Sequence, residues 1–186
     1  MRLSGAYFWF FTFTGVALAV VVALPAAALV VCVLARVRGS WRTALADVGM
    51  VYGTVPWVWL TMLPGSHAGT VPGRVVLVPF RDLVTTSPPQ IVGNLLIFAA
   101  LGFFAPMRFT ALASVRRVLL LAACFSTLIE ISQYVFRLDR VSSVDDVLLN
   151  TAGAGLAALA SYRWWLRPTF RGDMKNRIRE GNAARS

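Results

Sequence analysis

Acidic residues are scarce, with eight Asp and Glu against 18 Lys and Arg, and there is one His and two Cys. That lone His67 sits in a Gly/Ser-rich stretch and reads as a solvated loop residue. With no C-x-x-C and no Cys/His cluster, a zinc or haem site lacks its ligands. The sequence also offers no Ser/His/Asp or Cys/His set for nucleophilic catalysis. Charged residues make up 14% of the chain, where a soluble domain carries roughly 25%. Hydrocarbon is what the chain has instead: 58% of it is hydrophobic, and the mean hydropathy is +0.68. This balance excludes an ordinary soluble domain and predicts an all-α integral membrane bundle. A length of 186 residues allows one compact bundle and no separate soluble domain.

Five apolar runs set the expected architecture. Phe8 to Ala35 carries no charge over 28 residues, more than the roughly 20 that a membrane-crossing helix needs. It reads as a first span bent at Pro25, and is too long for the core of a cleaved signal peptide. Thr43 to Leu63 is the second span, with Asp47 near its start, where an acid suits the helix dipole. Pro64 to Gln90 is a proline-rich loop, and its apolar core, Val75 to Val84, is too short to span. Ile91 to Met107, Val118 to Phe136 and Val147 to Leu166 follow as spans three to five. Gly93, Gly102, Gly153 and Gly155 are small packing positions in them. Cys32 and Cys124 fall inside apolar runs and read as small buried residues. The chain thus divides into an N-terminal hairpin of two spans (1–70), an outer loop with three spans (71–167) and a basic tail (168–186).

Five spans place the termini on opposite sides. Arg36, Arg38, Arg42, Arg108, Arg116, Arg117 and the tail cations from Arg163 onward share one side. Arg2, Arg74, Arg81, Arg137 and Arg140 share the other. The richer side is cytoplasmic by the positive-inside rule, so the N-terminus is expected outside and the C-terminus inside. Aromatic residues fit the two boundaries: Tyr7, Trp9, Trp57, Trp59 and Tyr134 outside, Trp41, Trp164 and Trp165 inside. The net charge of +10 is read as topology and contact with anionic lipid rather than nucleic acid. The expected location is the cell membrane, crossed several times.

Polar residues concentrate at one depth. Glu130 to Asn150 holds four of the eight acids. Glu130 and Gln133 lie at the outer end of span four, with Arg137 at i+7 on the same face. Asp146 and Asn150 are i and i+4 at the outer start of span five, and Asn94 is at the outer end of span three. Arg81, Arg140 and Asp145 sit in the outer loops. Ionisable groups inside a membrane are costly and usually mark function. The plain structural alternative is packing: Ser143 as a helix cap with Asp146 in the first turn, Glu130 paired with Arg137 or Arg140, and Asn94 and Asn150 bonding across helices. Asp145 and Asp146 are weak candidates for Mg²⁺ or Ca²⁺, because adjacent helical residues diverge. They can share an ion only if the helix starts after them.

These residues resemble the VanZ-like family of membrane proteins. The likeness begins at Pro79, Phe80 and Arg81, and continues through G-N-L-L-I-F-A-A-L-G-F (Gly93 to Phe103) and E-I-S-Q (Glu130, Gln133). It ends in D-R-V-S-S-V-D-D-V-L-L-N-T-A-G-A (Asp139 to Ala154), covering roughly Val75 to Ala160. One departure is Ala100, where the family commonly has Pro. The family's founding member is associated with low-level teicoplanin resistance, so the resemblance implies a cell-envelope setting.

Three functions compete on this sequence. The first is binding of a lipid or lipid-linked cell-wall precursor, with Arg81, Arg137 and Arg140 on phosphates. Asn94, Glu130, Gln133, Asp145, Asp146 and Asn150 complete that candidate ligand set. The second is an enzyme on an outer-leaflet lipid-linked substrate, with Glu130 as general base. The third is a structural subunit whose basic tail meets lipid or a partner. The sequence names no cofactor and no oligomeric state.

Overall fold

The computed structural model describes residues 13–81, 83 and 86–165. The tail cations beyond Arg163, along with Arg2, Tyr7 and Trp9, lie outside these. The described chain is helical apart from one pair of three-residue strands. Helix α1 spans Phe13–Arg38 and runs through Pro25. Gly39 takes a φ of +67°, a left-handed turn that glycine adopts without a Cβ penalty. Ser40 then caps α2 (Trp41–Thr61) by accepting the Thr43 N–H at 3.4 Å.

A long connection follows, carrying strand β1 (Arg74–Val76). Helix α3 (Pro88–Ile97) opens with two prolines, which suit a first turn whose N–H groups have no helical partner. It breaks at Phe98 and resumes as α4 (Ala99–Arg108). The expected single third span is therefore two helices, although Ala100 supplies no proline. A 3₁₀ turn at Thr110–Leu112 leads into α5 (Val115–Val135). Strand β2 (Val141–Ser143) runs parallel to β1, with Arg74 opposite Val141 and Val76 opposite Ser143. Helix α6 (Val144–Ala160) starts at once from β2.

Three described stretches are long and apolar enough to cross a membrane: 14–38, 88–108 and 115–135. Their apolar side chains point outward. Val21, Val22 and Leu29 of α1 and Leu120 and Leu128 of α5 are all exposed, the arrangement that hydrocarbon surroundings favour and water penalises. Cys124 is likewise exposed and Cys32 only half-buried, so neither is the buried residue expected. An apolar thiol needs no burial on a face turned to hydrocarbon. Trp165 goes the other way: it is buried, its indole N–H donating to Ala158 O at 3.3 Å.

Helix α6 is the hub, packing against α3, α4 and α5, while α2 packs against α1 and α4. Small residues let α6 in. A Cβ on Gly153 would overlap the Leu95 backbone, and one on Gly102 the Ala154 backbone. Gly155 is filled by Leu119, whereas Gly93 faces open space and is no packing position. The buried core gathers Ile97, Phe98, Val118, Ala122, Ile129, Ala154 and Ala158 between these helices. At the far end, Asp47 pairs with Arg38 and, at 2.6 Å, with Arg108. That double pairing ties α1, α2 and α4 together and accounts for the acid.

Candidate functional site

The end of α2, the start of α3, the end of α5 and the start of α6 meet at one end of the bundle. They enclose a cavity of about 460 Å³. Thr61 and Gly65 come from the end of α2 and the chain just after it, Gln90 and Asn94 from α3, and Glu130 and Gln133 from α5. Asp146 and Asn150 come from α6, and Asp139 and Arg140 from the loop before β2. Of the sequence-predicted residues, six share this cavity: Asn94, Glu130, Gln133, Arg140, Asp146 and Asn150. Arg81, Arg137 and Asp145 do not line it.

Each departure has a local cause. Arg137 was expected on the Glu130 and Gln133 face, but α5 ends at Val135. Arg137 then turns with a φ of +50°, and its carbonyl accepts the Gly69 N–H at 2.9 Å. Arg81 is exposed on the loop. Asp145 is buried with its carboxylate turned to that same loop. It accepts the Phe80 N–H at 2.6 Å and the Leu83 N–H at 3.1 Å. Phe80 itself holds a φ of +64°, uncommon for a bulky side chain, and the Asp145 carboxylate fixes that turn. Because α6 begins at Val144, both aspartates lie in its first turn and diverge. The condition for a shared metal ion fails, and no group of three acidic, His or Cys side chains converges among the described residues.

The cavity walls are held by directional bonds. Asn94 Nδ2 donates to Asp146 Oδ1, joining α3 to α6. Asn150 Nδ2 donates to Ser126 Oγ at 2.7 Å, joining α6 to α5. Glu130 Oε2 accepts the Ser143 N–H at 3.0 Å, and Ser142 Oγ donates to the Glu130 carbonyl at 2.9 Å. Strand β2 therefore grips Glu130, replacing the ion pair expected with Arg137 or Arg140. Ser143 also caps α6, its Oγ accepting the Asp145 N–H at 3.2 Å. Arg140 spends its guanidinium on the frayed end of α2, with Nε to Leu63 O at 3.2 Å and Nη2 to Leu60 O at 3.4 Å. Gln133 Nε2 reaches Thr61 O at 3.0 Å.

One wall atom is unmatched. Asn150 is 1% exposed, and its Oδ1 is buried with no hydrogen-bond partner. A buried acceptor left unpaired costs roughly 1–3 kcal/mol.

Sequence reasoning missed Asp139, Ser126 and Gln90. Asp139 accepts the His67 N–H at 3.0 Å, and its Oδ2 lies 3.4 Å from His67 Nδ1. His67 is exposed but has a partner after all. The signal was present in the D-R-V-S-S run, where Asp139 precedes Arg140. No local pattern, however, linked it to a loop some 70 residues away.

A family model, VanZ/LLP1, matches residues 50–166. The chain belongs to the VanZ/LLP1 family. The family match reaches further back than the motif likeness from Val75 and takes in most of α2. That is the part of α2 carrying the Leu60 and Thr61 carbonyls that Arg140 and Gln133 engage. The VanZ/LLP1 region therefore contains every residue lining the polar cavity. No curated protein and no solved structure matches the chain.

Proposed function

We propose that this VanZ/LLP1 member is a non-catalytic binding protein of the cell envelope, holding an amphipathic, lipid-linked ligand in the polar cavity. The observation that carries the reading is a polar cavity of about 460 Å³ walled by four helices, with Asn150 on its lining holding a buried, unpartnered Oδ1. A bundle that needed these groups only as internal ties would close on them. This one leaves a volume suited to a ligand's polar head. On the proposed five-span topology, with the cavity end facing outward and the cation-rich end in the cytoplasm, that head lies in the outer leaflet. The link to glycopeptide response, teicoplanin included, follows from the same placement, because such drugs act on precursors outside the membrane.

Native mass spectrometry of the chain released from mixed-lipid nanodiscs tests the reading. Wild type retains a lipid-class adduct, and Asn150→Leu retains about tenfold less, the equivalent of one lost hydrogen bond. Equal retention by both proteins would sink it. An enzymatic alternative rests on Glu130, the cavity carboxyl gripped by β2. It requires Glu130→Gln to abolish the cellular phenotype while the adduct persists. Loss of both together returns the argument to binding.

A further inference from the structure

The binding reading leaves open what kind of head the cavity accepts, and the wall chemistry bears on that. Three carboxyl groups line it, Glu130, Asp139 and Asp146, against one guanidinium, Arg140. That guanidinium is turned to the carbonyls of Leu60, in α2, and of Leu63, just after it. The amide nitrogens of Asn94, Gln133 and Asn150 are also committed, to Asp146, Thr61 O and Ser126. Each of these donor groups thus already holds a bond within the protein, while the unpaired atom, Asn150 Oδ1, is an acceptor. With three carboxyl groups to one guanidinium, such a surface favours a cationic donor over a phosphate.

The tail has a route. Beside the cavity a cleft of about 430 Å³ opens between α2 and α5, floored by Phe98 and Leu101. Its lining on this side is Thr54 and Val58 of α2 and Met62 at the helix's C-cap, spaced four apart and so forming one stripe. Ile129 lines both the cleft and the cavity, and Met62 adjoins the cavity residue Thr61. The stripe runs about 12 Å along the helix axis, away from the polar end. Helices α2 and α5 have few direct contacts, each packing instead on α4 or α6. A single alkyl chain fits between them.

We propose that the ligand is an amphipathic amine: an ammonium head among Glu130, Asp146 and Asn150, with its alkyl chain in the α2–α5 cleft. This rests on the binding reading and adds the chemical class to it.

The test uses the full-length chain in amphipol, titrated by calorimetry with dodecylamine, dodecyl phosphate and butylamine. Dodecylamine binds about tenfold or more tightly over dodecyl phosphate, and the preference collapses in Glu130→Gln/Asp146→Asn. Butylamine, lacking the tail, binds at least about a hundredfold more weakly than dodecylamine, as eight lost methylenes at ~0.8 kcal/mol each more than allow. Val58→Phe or Ser132→Leu, whichever keeps the wild-type Tm, narrows the gap between dodecylamine and butylamine.

Equal or tighter binding of dodecyl phosphate overturns the amine assignment and leaves the binding reading standing. Butylamine matching dodecylamine, or a filled cleft with no effect, overturns the tail route and identifies a soluble amine as the ligand source. Failure of all three probes, together with no adduct in the nanodisc experiment, removes the binding reading as well.

Discussion

Asp145 accepts the N–H groups of Phe80 and Leu83, while Asp146, one residue on, accepts from Asn94 across the cavity. The helix turns about 100° between them, so adjacent carboxylates serve a loop and a site respectively. Asp145→Ala is therefore expected to release the loop rather than empty the cavity. Two hydrogen bonds to a charged acceptor are lost, at about 1.5–3 kcal/mol each before relaxation. Faster protease cleavage between Leu77 and Ser87, with amphiphile affinity kept, is the expected outcome; unchanged cleavage would remove Asp145 from that role. Asp146→Ala should do the reverse, weakening binding while leaving the loop protected, as paired titrations and digests would show. The type and rough depth of these residues were legible in the sequence. Their division of labour was not, because it depends on where α6 begins, and that is set by β2 pairing with a strand some 65 residues earlier.

Close helix contact rests on absent side chains. Gly153 of α6 lies against the Leu95 backbone of α3, and Gly102 of α4 against Ala154 of α6. Neither neighbour is a flexible side chain that can swing aside, so an added methyl must push helices apart. Gly153→Ala is expected to cost about 1–3 kcal/mol, the usual range for overpacking. Gly93→Ala, where the glycine faces open space, should be neutral or gain up to about 1 kcal/mol from helix propensity. Unfolding of both variants in mixed micelles checks the contrast, and equal stabilities would discount the backbone contact. All four glycines look alike in sequence as small residues within apolar runs. Which of them meets a neighbouring backbone is decided only when α6 docks between α3, α4 and α5.

Charge gathers at the two ends of the whole molecule in different ways. One end holds Arg36, Arg38, Arg42, Arg108, Arg116 and Arg117, with Asp47 neutralising part of the cluster. The other holds the cavity, with its carboxyl groups and Arg140. Under the proposed five-span topology, a phosphatase reporter fused after Ser186 stays inactive and a cytoplasmic fluorescent reporter lights up. The opposite pattern would turn the cavity toward the cytoplasm and end its tie to outer-leaflet ligands.

Composition and run length were enough to point to a helical chain with stretches long and apolar enough to cross a membrane, since hydrocarbon-length apolar stretches have few other stable uses. Residue order was enough to point to the VanZ/LLP1 family and to most of the polar residues now seen around the cavity, because polar groups beside apolar runs stand out on cost alone. Tertiary structure decided the rest: the break at Phe98, the strand pair that fixes Glu130 and starts α6, the withdrawal of Arg81, Arg137 and Asp145, and the entry of Asp139. The strand pair, the hold on Glu130, the turn of Asp145 and the entry of Asp139 depend on contacts between segments that lie apart in the chain. Periodicity along a chain carries no record of which distant backbone will supply a hydrogen-bond partner.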